Sequence, residues 1–195
     1  MICGIILAAG DSSRMGSPKA LLDYKGRTFV ETICANMRAA GIYDITIVLG
    51  RHAEEIQKNW PGNCERVVVN PNPAEGQISS LKIALSNMPG YAKAAVMALV
   101  DQPMVNDSVY KDLIDVWQKN PGAVVLPRYK GKRGHPLILD ASVWPLCQRA
   151  PSDKGLHWVI HHEDAKVLDV DVNEESVIMD VDTPEQYKAL TGAEK

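Results

Sequence analysis

The chain of 195 residues contains no C-x-x-C pair, and its four cysteines, Cys3, Cys34, Cys64 and Cys147, are widely spaced. That excludes the common zinc and dithiol-redox motifs and makes buried, reduced thiols the expectation. No stretch approaches the ~18 apolar residues of a membrane-spanning helix, and no basic n-region followed by an apolar h-region opens the chain. A cytoplasmic enzyme or binding protein is expected, with no membrane as partner. Nor is there an excess of positive charge. Lys and Arg number 21 against 24 Asp and Glu, a net charge of −3, so the electrostatic footprint of a nucleic-acid binder is missing. An acidic protein that handles a polyanion must concentrate cations locally or import a metal ion. Repeats, low-complexity tracts and linkers are absent as well. With 46% hydrophobic and 23% charged residues the composition is that of an ordinary globular chain. Its length suits one domain over residues 1–195, able to bury roughly 70% of the unfolded surface.

What is present is an alternation. Apolar, β-branched runs occur at 2–8, 44–49, 66–69, 94–100, 123–127 and 135–139, most of them separated by segments with helical spacing. This pattern reads as βαβ units around a largely parallel sheet. Thr28, followed three positions later by Glu31, predicts a capped helix ending near Gly41. Ser79 to Met88 reads as a second helix with Leu81, Ala84, Leu85 and Met88 on one face. A third begins at a cap on Asp107 or Ser108 and runs to about Asn120. Residues 128–134, Arg-Tyr-Lys-Gly-Lys-Arg-Gly, read as a basic loop. Residues 166–182 read as extended, and Thr183-Pro184-Glu185 starts a last helix with proline at its first position.

The first run leads into Leu7-Ala8-Ala9-Gly10-Asp11-Ser12-Ser13-Arg14-Met15-Gly16-Ser17-Pro18-Lys19. Small residues there leave backbone N–H groups uncovered, so a polyphosphate can approach the main chain, and Arg14 and Lys19 add two cations. The spacing fits neither the G-x-x-x-x-G-K-[ST] loop nor the G-x-G-x-x-G fingerprint. It resembles the L-A-A-G-x-S-x-R-M-G-x-P-K signature of the MobA-like nucleotidyltransferases. Four further segments follow in the order of that family. Ala94 to Val100 is apolar throughout and ends in Asp101-Gln102-Pro103. A strand buried on both faces would thus place a carboxylate in the ligand crevice of an open α/β sheet. Asp-Gln-Pro resembles the metal-binding turn of the molybdenum cofactor cytidylyltransferase branch. Met179-Asp180-Val181-Asp182-Thr183-Pro184-Glu185 resembles the family's Asp-x-Asp-Thr-Pro-Glu-Asp ending, with Gln186 in place of an acid. In an extended segment both carboxylates point to one side. Asp182 also suits a helix N-terminus through the dipole alone. Gly134-His135-Pro136 resembles a Gly-His-Pro motif of the molybdopterin-handling branch. Asn70 to Leu81 resembles the segment that sets a glycine and a serine against the base, although Ser79 serves equally as a helix cap.

The resemblance implies a single three-layer α/β/α domain whose mostly parallel, Rossmann-like sheet carries one antiparallel strand. It implies a nucleotidyltransferase, most closely the transfer of CMP from CTP to a phosphorylated pterin with release of pyrophosphate, since Ala9 and Pro18 resemble the cytidylyl-transferring members. Under it Lys19 and Arg14 are catalytic, and Leu7, Ala8, Ala9, Gly10, Ser13, Gly76, Ser79 and Ser80 bind the nucleoside triphosphate. Gln102, Gly134 and His135 bind the acceptor. Asp101 and Asp182 hold Mg²⁺, a hard cation that takes one or two carboxylates plus substrate phosphates, and Asp180 is a less certain third. Transfer to a sugar or polyol phosphate, or a carrier that delivers finished cofactor to a molybdenum hydroxylase, is compatible with the same motifs. Two patterns carry less. Asp169-Val170-Asp171-Val172-Asn173 begins like a calcium loop but has Glu174 where glycine is required, so it reads as a strand. His157 and His161 have i, i+4 spacing without a catalytic Glu between them and read as a solvated helix face.

Overall fold

The computed structural model describes residues 1–60, 62 and 65–192. In chain order its elements begin with β1 (Ile2–Ala8), β2 (Asp23–Tyr24), β3 (Arg27–Thr28), α1 (Phe29–Ala39), β4 (Ile45–Leu49), α2 (Ala53–Asn59), β5 (Arg66–Val69) and α3 (Gln77–Ser86). They continue with β6 (Ala94–Leu99), α4 (Asp107–Lys119), β7 (Ala123–Tyr129), β8 (Lys132–Arg133), β9 (Leu137–Asp140), α5 (Trp144–Arg149), α6 (Gly155–Ile160), β10 (Lys166–Asp171) and α7 (Pro184–Thr191). The main sheet runs β10-β7-β9-β6-β1-β4-β5, with β8 paired to β7. Strands β1, β4, β5 and β6 are mutually parallel, as are β7 and β10, whereas β9 runs antiparallel to both its neighbours. This is a single α/β domain with a mostly parallel central sheet.

Side chains alternate across a strand, so each strand feeds both faces. Ile6 and Ala8 pack with Ile33 of α1, Ile56 of α2 and Leu113 of α4. Ile5, Leu7 and Ala9 pack on the opposite face with Leu81 of α3, Leu146 of α5 and Val159 of α6. Each such aliphatic side chain, fully buried, contributes about 2 kcal/mol, which is why the apolar runs of the sequence end up as the sheet's central strands. Helix α1 starts where its capping box predicts: Thr28 N–H donates to Glu31 Oε2 at 2.8 Å, and Glu31 N–H donates to Thr28 Oγ1 at 3.3 Å. Cys3, Cys34 and Cys147 are buried free thiols; Cys64 lies outside the described residues. Among these residues no helix is long and apolar enough to cross a membrane.

Several boundaries differ from the sequence reading. Helix α3 starts at Gln77, with Gly76 (φ 87°) as its N-cap, so Ser79 is inside the helix rather than at its cap. Helix α4 is capped by Asn106 and not by Asp107 or Ser108. The basic stretch is a hairpin, because β7 runs on through Tyr129 and β8 pairs back on it. Its cations meet strand acids: Arg128 binds Asp171 through a 2.8 Å contact, and Arg133 binds Asp169 through a 2.7 Å contact. The extended run from 166 breaks at Asp171 and is followed by a 3₁₀ turn over Glu175–Ile178. Helices α2 and α5 are short, seven and six residues, too brief for a periodic signal to emerge.

The chain winds from β1 to β4 and β5 on one side, then returns to place β6 on the other side of β1. Crossover connections diverge there, leaving a crevice beyond the carboxyl ends of β1 and β6. Leu7 pairs with Leu99 in register, and Val100 N–H donates to Leu7 O at 3.1 Å. The loop after β1 and the turn after β6 therefore share one rim.

Candidate active site

A cavity of about 350 Å³ opens at this rim. Residues Ala9 to Arg14 and Lys19 form one wall, Leu99, Val100 and Asp101 the floor, and Pro73, Gly76, Gln77 and Ser80 the wall opposite, with Leu7 and Asp182 completing it. The loop after β1 is sharply folded. Ser12 has φ 48°, a left-handed conformation uncommon for a residue with a side chain. Its Oγ accepts from the Lys19 N–H at 3.1 Å, and its carbonyl accepts from Met15 N–H at 2.9 Å. A Cβ on Gly10 would meet nothing within 4 Å, so the missing side chain leaves the loop's backbone open to the cavity. Across from it, α3 points its N-terminus inward, an end whose partial positive charge favours an anionic ligand.

Lys19 is the centre of the charged cluster. Its Nζ lies 3.2 Å from Asp101 Oδ2 and 2.5 Å from Asp182 Oδ1, and its side chain is only 12% exposed. Arg14, 65% exposed, reaches the other oxygen of Asp182 at 3.0 Å. The hydrogen bond from Lys19 holds the Asp182 carboxyl below its ordinary value, with Arg14 adding to the effect. Burial pushes Asp101 the other way, above the ordinary value, although Lys19 opposes that shift. Two carboxylates at one point thus differ in proton affinity because one is solvated and doubly paired while the other sits at the end of a buried strand. Asp101 Oδ1 is buried and has no hydrogen-bond partner among the described residues. No cluster of three or more His, Cys, Asp or Glu among these residues is arranged as a complete metal cage. Two carboxylates facing an open cavity do fit a hard divalent cation that draws its remaining ligands from water and phosphate.

The segment carrying Asp182 is held from both ends. Val181 N–H donates to Asp101 O at 2.9 Å. Gln186 Oε1 accepts from Asp182 N–H at 2.7 Å and from Thr183 N–H at 3.0 Å, while Gln186 N–H returns to Thr183 Oγ1 at 3.3 Å. The amide at 186 therefore does the capping work expected of an acid.

Not every predicted residue reaches the cavity. Ala8 is the last residue of β1 and packs toward α1. Ser79 donates to Gly76 O at 2.7 Å and accepts from Asn70 Nδ2 at 2.8 Å, which leaves Ser80, held by the same Asn70 at 2.9 Å, as the lining serine. Gln102, Gly134 and His135 also fall outside its lining. Gln102 Nε2 donates to Asp180 Oδ1 at 2.8 Å, and its Oε1 is buried without a partner among the described residues. His135 is partly buried, and that burial lowers its pKa to about 4 despite the nearby Asp180, so the ring is neutral at pH 7. Asp180 thus joins Gln102 and His135 in a second polar group whose charge also acts on Asp101. Gly134 has a structural reason to be glycine: a Cβ there would lie 2.0 Å from Val177 O. Asn70 and Gln77 were not among the sequence-derived site residues; Asn70 acts through hydrogen bonds to Ser79 and Ser80, and Ser12 through one from the Lys19 N–H, contacts 7 to 10 positions apart that turn geometry sets without a periodic signal. His157 and His161 stack at 4.1 Å on the surface of α6, away from this cavity.

A doubly wound sheet with one carboxylate just past a central strand and another just before a helix, sharing an ammonium beside a small-residue loop, defines an α/β domain of the nucleotide-transferring class. Residues 4–167 match the MobA-like NTP transferase domain, and the chain belongs to that family. It is 32% identical over 199 residues to nicotine blue oxidoreductase of Paenarthrobacter nicotinovorans, covering 97% of this chain and 96% of that protein. To the molybdenum cofactor cytidylyltransferase of Escherichia coli K12 it is 23% identical over 184 residues, covering 94% and 92%. The crystal structure of Rv0371c from Mycobacterium tuberculosis H37Rv superposes with a TM-score of 0.87 at 30% identity, over 98% of this chain and 97% of that one. A manganese complex of the same protein gives 0.83 at 29% identity and 98% coverage of both.

Proposed function

We propose that this chain is a divalent-metal-dependent molybdenum cofactor cytidylyltransferase, which moves CMP from CTP to the phosphate of the pterin and releases pyrophosphate. The observation that carries the reading is the convergence of Lys19, Asp101 and Asp182 in the lining of a cavity that the Ala9–Arg14 loop also walls. The nucleophile needs no strong protein base, because a phosphate monoester with a second pKa near about 6 is largely a dianion at neutral pH. What the reaction needs is the neutralisation of two anions that must meet. The loop N–H groups and the α3 N-terminus hold the triphosphate, and Arg14 stabilises the departing pyrophosphate. Lys19 sits between the α-phosphate and the incoming phosphate. Asp101 and Asp182 would hold Mg²⁺, which when bound supplies charge to the α-phosphoryl oxygen. The manganese complex of the Rv0371c protein supports a divalent site of this kind. Ser80, Ala9 and Gly76 face the base, and Gln102 with His135 borders the acceptor.

The identity to nicotine blue oxidoreductase favours a second reading, redox turnover of a related dye on the same scaffold. The acid–ammonium cluster argues for the transferase, since phosphoryl chemistry uses both signs of charge at one point. Incubating the protein with each NTP, Mg²⁺ and molybdopterin while following pyrophosphate tests the proposal: nucleotide-dependent release supports it. Absence of release with every NTP, together with protein-dependent loss of nicotine blue absorbance in the presence of an added reductant, would replace it with the redox reading. Because the cytoplasmic setting and a molybdenum hydroxylase as recipient follow from the same reading, they stand or fall with this assay.

A further inference from the structure

Lys19 Nζ contacts one oxygen of each acid that would receive the metal, and Arg14 takes the second oxygen of Asp182. An ammonium at 2.5 and 3.2 Å from these oxygens competes with a Mg²⁺ that demands oxygens at about 2.0–2.1 Å in octahedral array, because two cations on one oxygen repel each other. From these contacts we infer that Lys19 and Arg14 are built-in counter-ions that keep the divalent cation out of the nucleotide-free site, so that cation and triphosphate enter together. The charges make the case. The two cations already balance Asp101 and Asp182, and a divalent cation added to that set brings uncompensated positive charge. Asp180, whose Oδ1 accepts from Gln102 at 2.8 Å, is a further acid whose charge acts on Asp101. A triphosphate reverses the balance: its oxygens draw the Lys19 and Arg14 heads toward the loop, and the carboxylate oxygens they leave become ligands. Lys19 can make this exchange without unfolding the loop, because its backbone is pinned to Ser12 Oγ while its four-carbon stem rotates. Asp101 Oδ1, buried and unpartnered, is the oxygen already in place.

This inference rests on the transferase reading for the identity of the triggering ligand, but its test requires no turnover. Mn²⁺ binding to the full chain is followed by water-proton relaxation at a pH well above the carboxylate range, with and without α,β-methylene-CTP and with the binary Mn²⁺–nucleotide contribution subtracted. Wild-type protein should bind Mn²⁺ at least roughly tenfold more weakly without nucleotide than with it, within the usual size of coupling between two ligands. Lys19→Met should bind Mn²⁺ alone about tenfold more tightly than wild type, and the exposed Arg14→Met by a smaller factor, shrinking the coupling. Circular dichroism establishes that each variant is folded, and Arg14→Met carries the test if Lys19→Met is not. Unchanged or weaker Mn²⁺ affinity in folded variants overturns the inference, as does equal wild-type affinity with and without nucleotide. Tighter Mn²⁺ binding by Lys19→Met, when the wild-type protein releases no pyrophosphate with any NTP, would sink the transferase reading and leave the counter-ion role standing.

Discussion

One ammonium, that of Lys19, is asked to do two things that a substitution separates. It closes a charge pair in the resting protein, and in the proposed reaction it bridges the anions that meet at the α-phosphate. Lys19→Ala should lower kcat by about 10²-fold or more, the scale of losing one preorganised electrostatic contact, while the far-UV spectrum stays that of wild type. Near-normal turnover in that variant removes Lys19 from the chemistry. Asp182 makes a second, pH-resolved prediction. Its folded pKa lies below the ordinary 3.8 because Lys19 donates to it. Its contribution to stability is therefore fully present above that ordinary value and is lost as pH falls through the lowered one. Asp182→Asn should lower Tm at pH 7, and the gap to wild type should close in melts taken below the ordinary value. Asp101 behaves oppositely. Its pKa is raised by burial, so ionising it costs stability as pH rises from the ordinary value through the raised one, the mark of a group kept for function.

The two elements that set the acids are a buried strand and a turn. Strand β6 runs through the core and has no freedom in where Asp101 emerges. The Asp182 segment depends instead on α7's capping box and on the 3₁₀ turn over Glu175–Ile178, beneath which Gly134 passes. His135 N–H donates to Val177 O at 2.9 Å, and no side chain fits between the two chains at residue 134. Gly134→Ala should therefore destabilise by about 1–3 kcal/mol through overpacking and shift the Asp180–Asp182 segment, lowering kcat more than it raises KM. Chemical denaturation with parallel kinetics checks this, and wild-type stability in the alanine variant would refute the packing account. Beside the expected contact with the acceptor, Gly134 thus has a role in seating the element that carries the acids. The alternation of apolar runs made β1, β6 and the α1 cap legible before any coordinates. The 3₁₀ turn was not, because a few residues without periodicity carry no local signal and are fixed by what packs on them.

For the molecule as a whole, the choice of base falls to the size and polar lining of the cavity. Cytosine is a small ring with an amino donor, and Ala9 with Ser80 offers a methyl and a hydroxyl in a cavity of about 350 Å³. A pocket built to hydrogen-bond one base rejects another by leaving its own polar atoms unpaired. CTP should therefore exceed GTP by about tenfold or more in kcat/KM with molybdopterin as acceptor; equal or reversed preference in direct competition would refute the cytidylyl assignment and leave the transferase class intact. The chain's net charge of −3 is compatible with a polyanionic substrate because Arg14 and Lys19 concentrate positive charge at one rim. Fold class and the central strands were readable from the linear chain, since apolar runs alternating with helical spacing are local consequences of composition and order, whereas the grouping of Lys19, Asp101 and Asp182 followed from the family resemblance of their motifs. The selection of Ser80 over Ser79 at the cavity wall, the turning of Gln102 toward Asp180, and the ammonium held between Asp101 and Asp182 depended on residues up to 163 positions apart coming within a hydrogen bond of one another. Such contacts follow from how layers pack and strands cross over, and no spacing along the backbone specifies them.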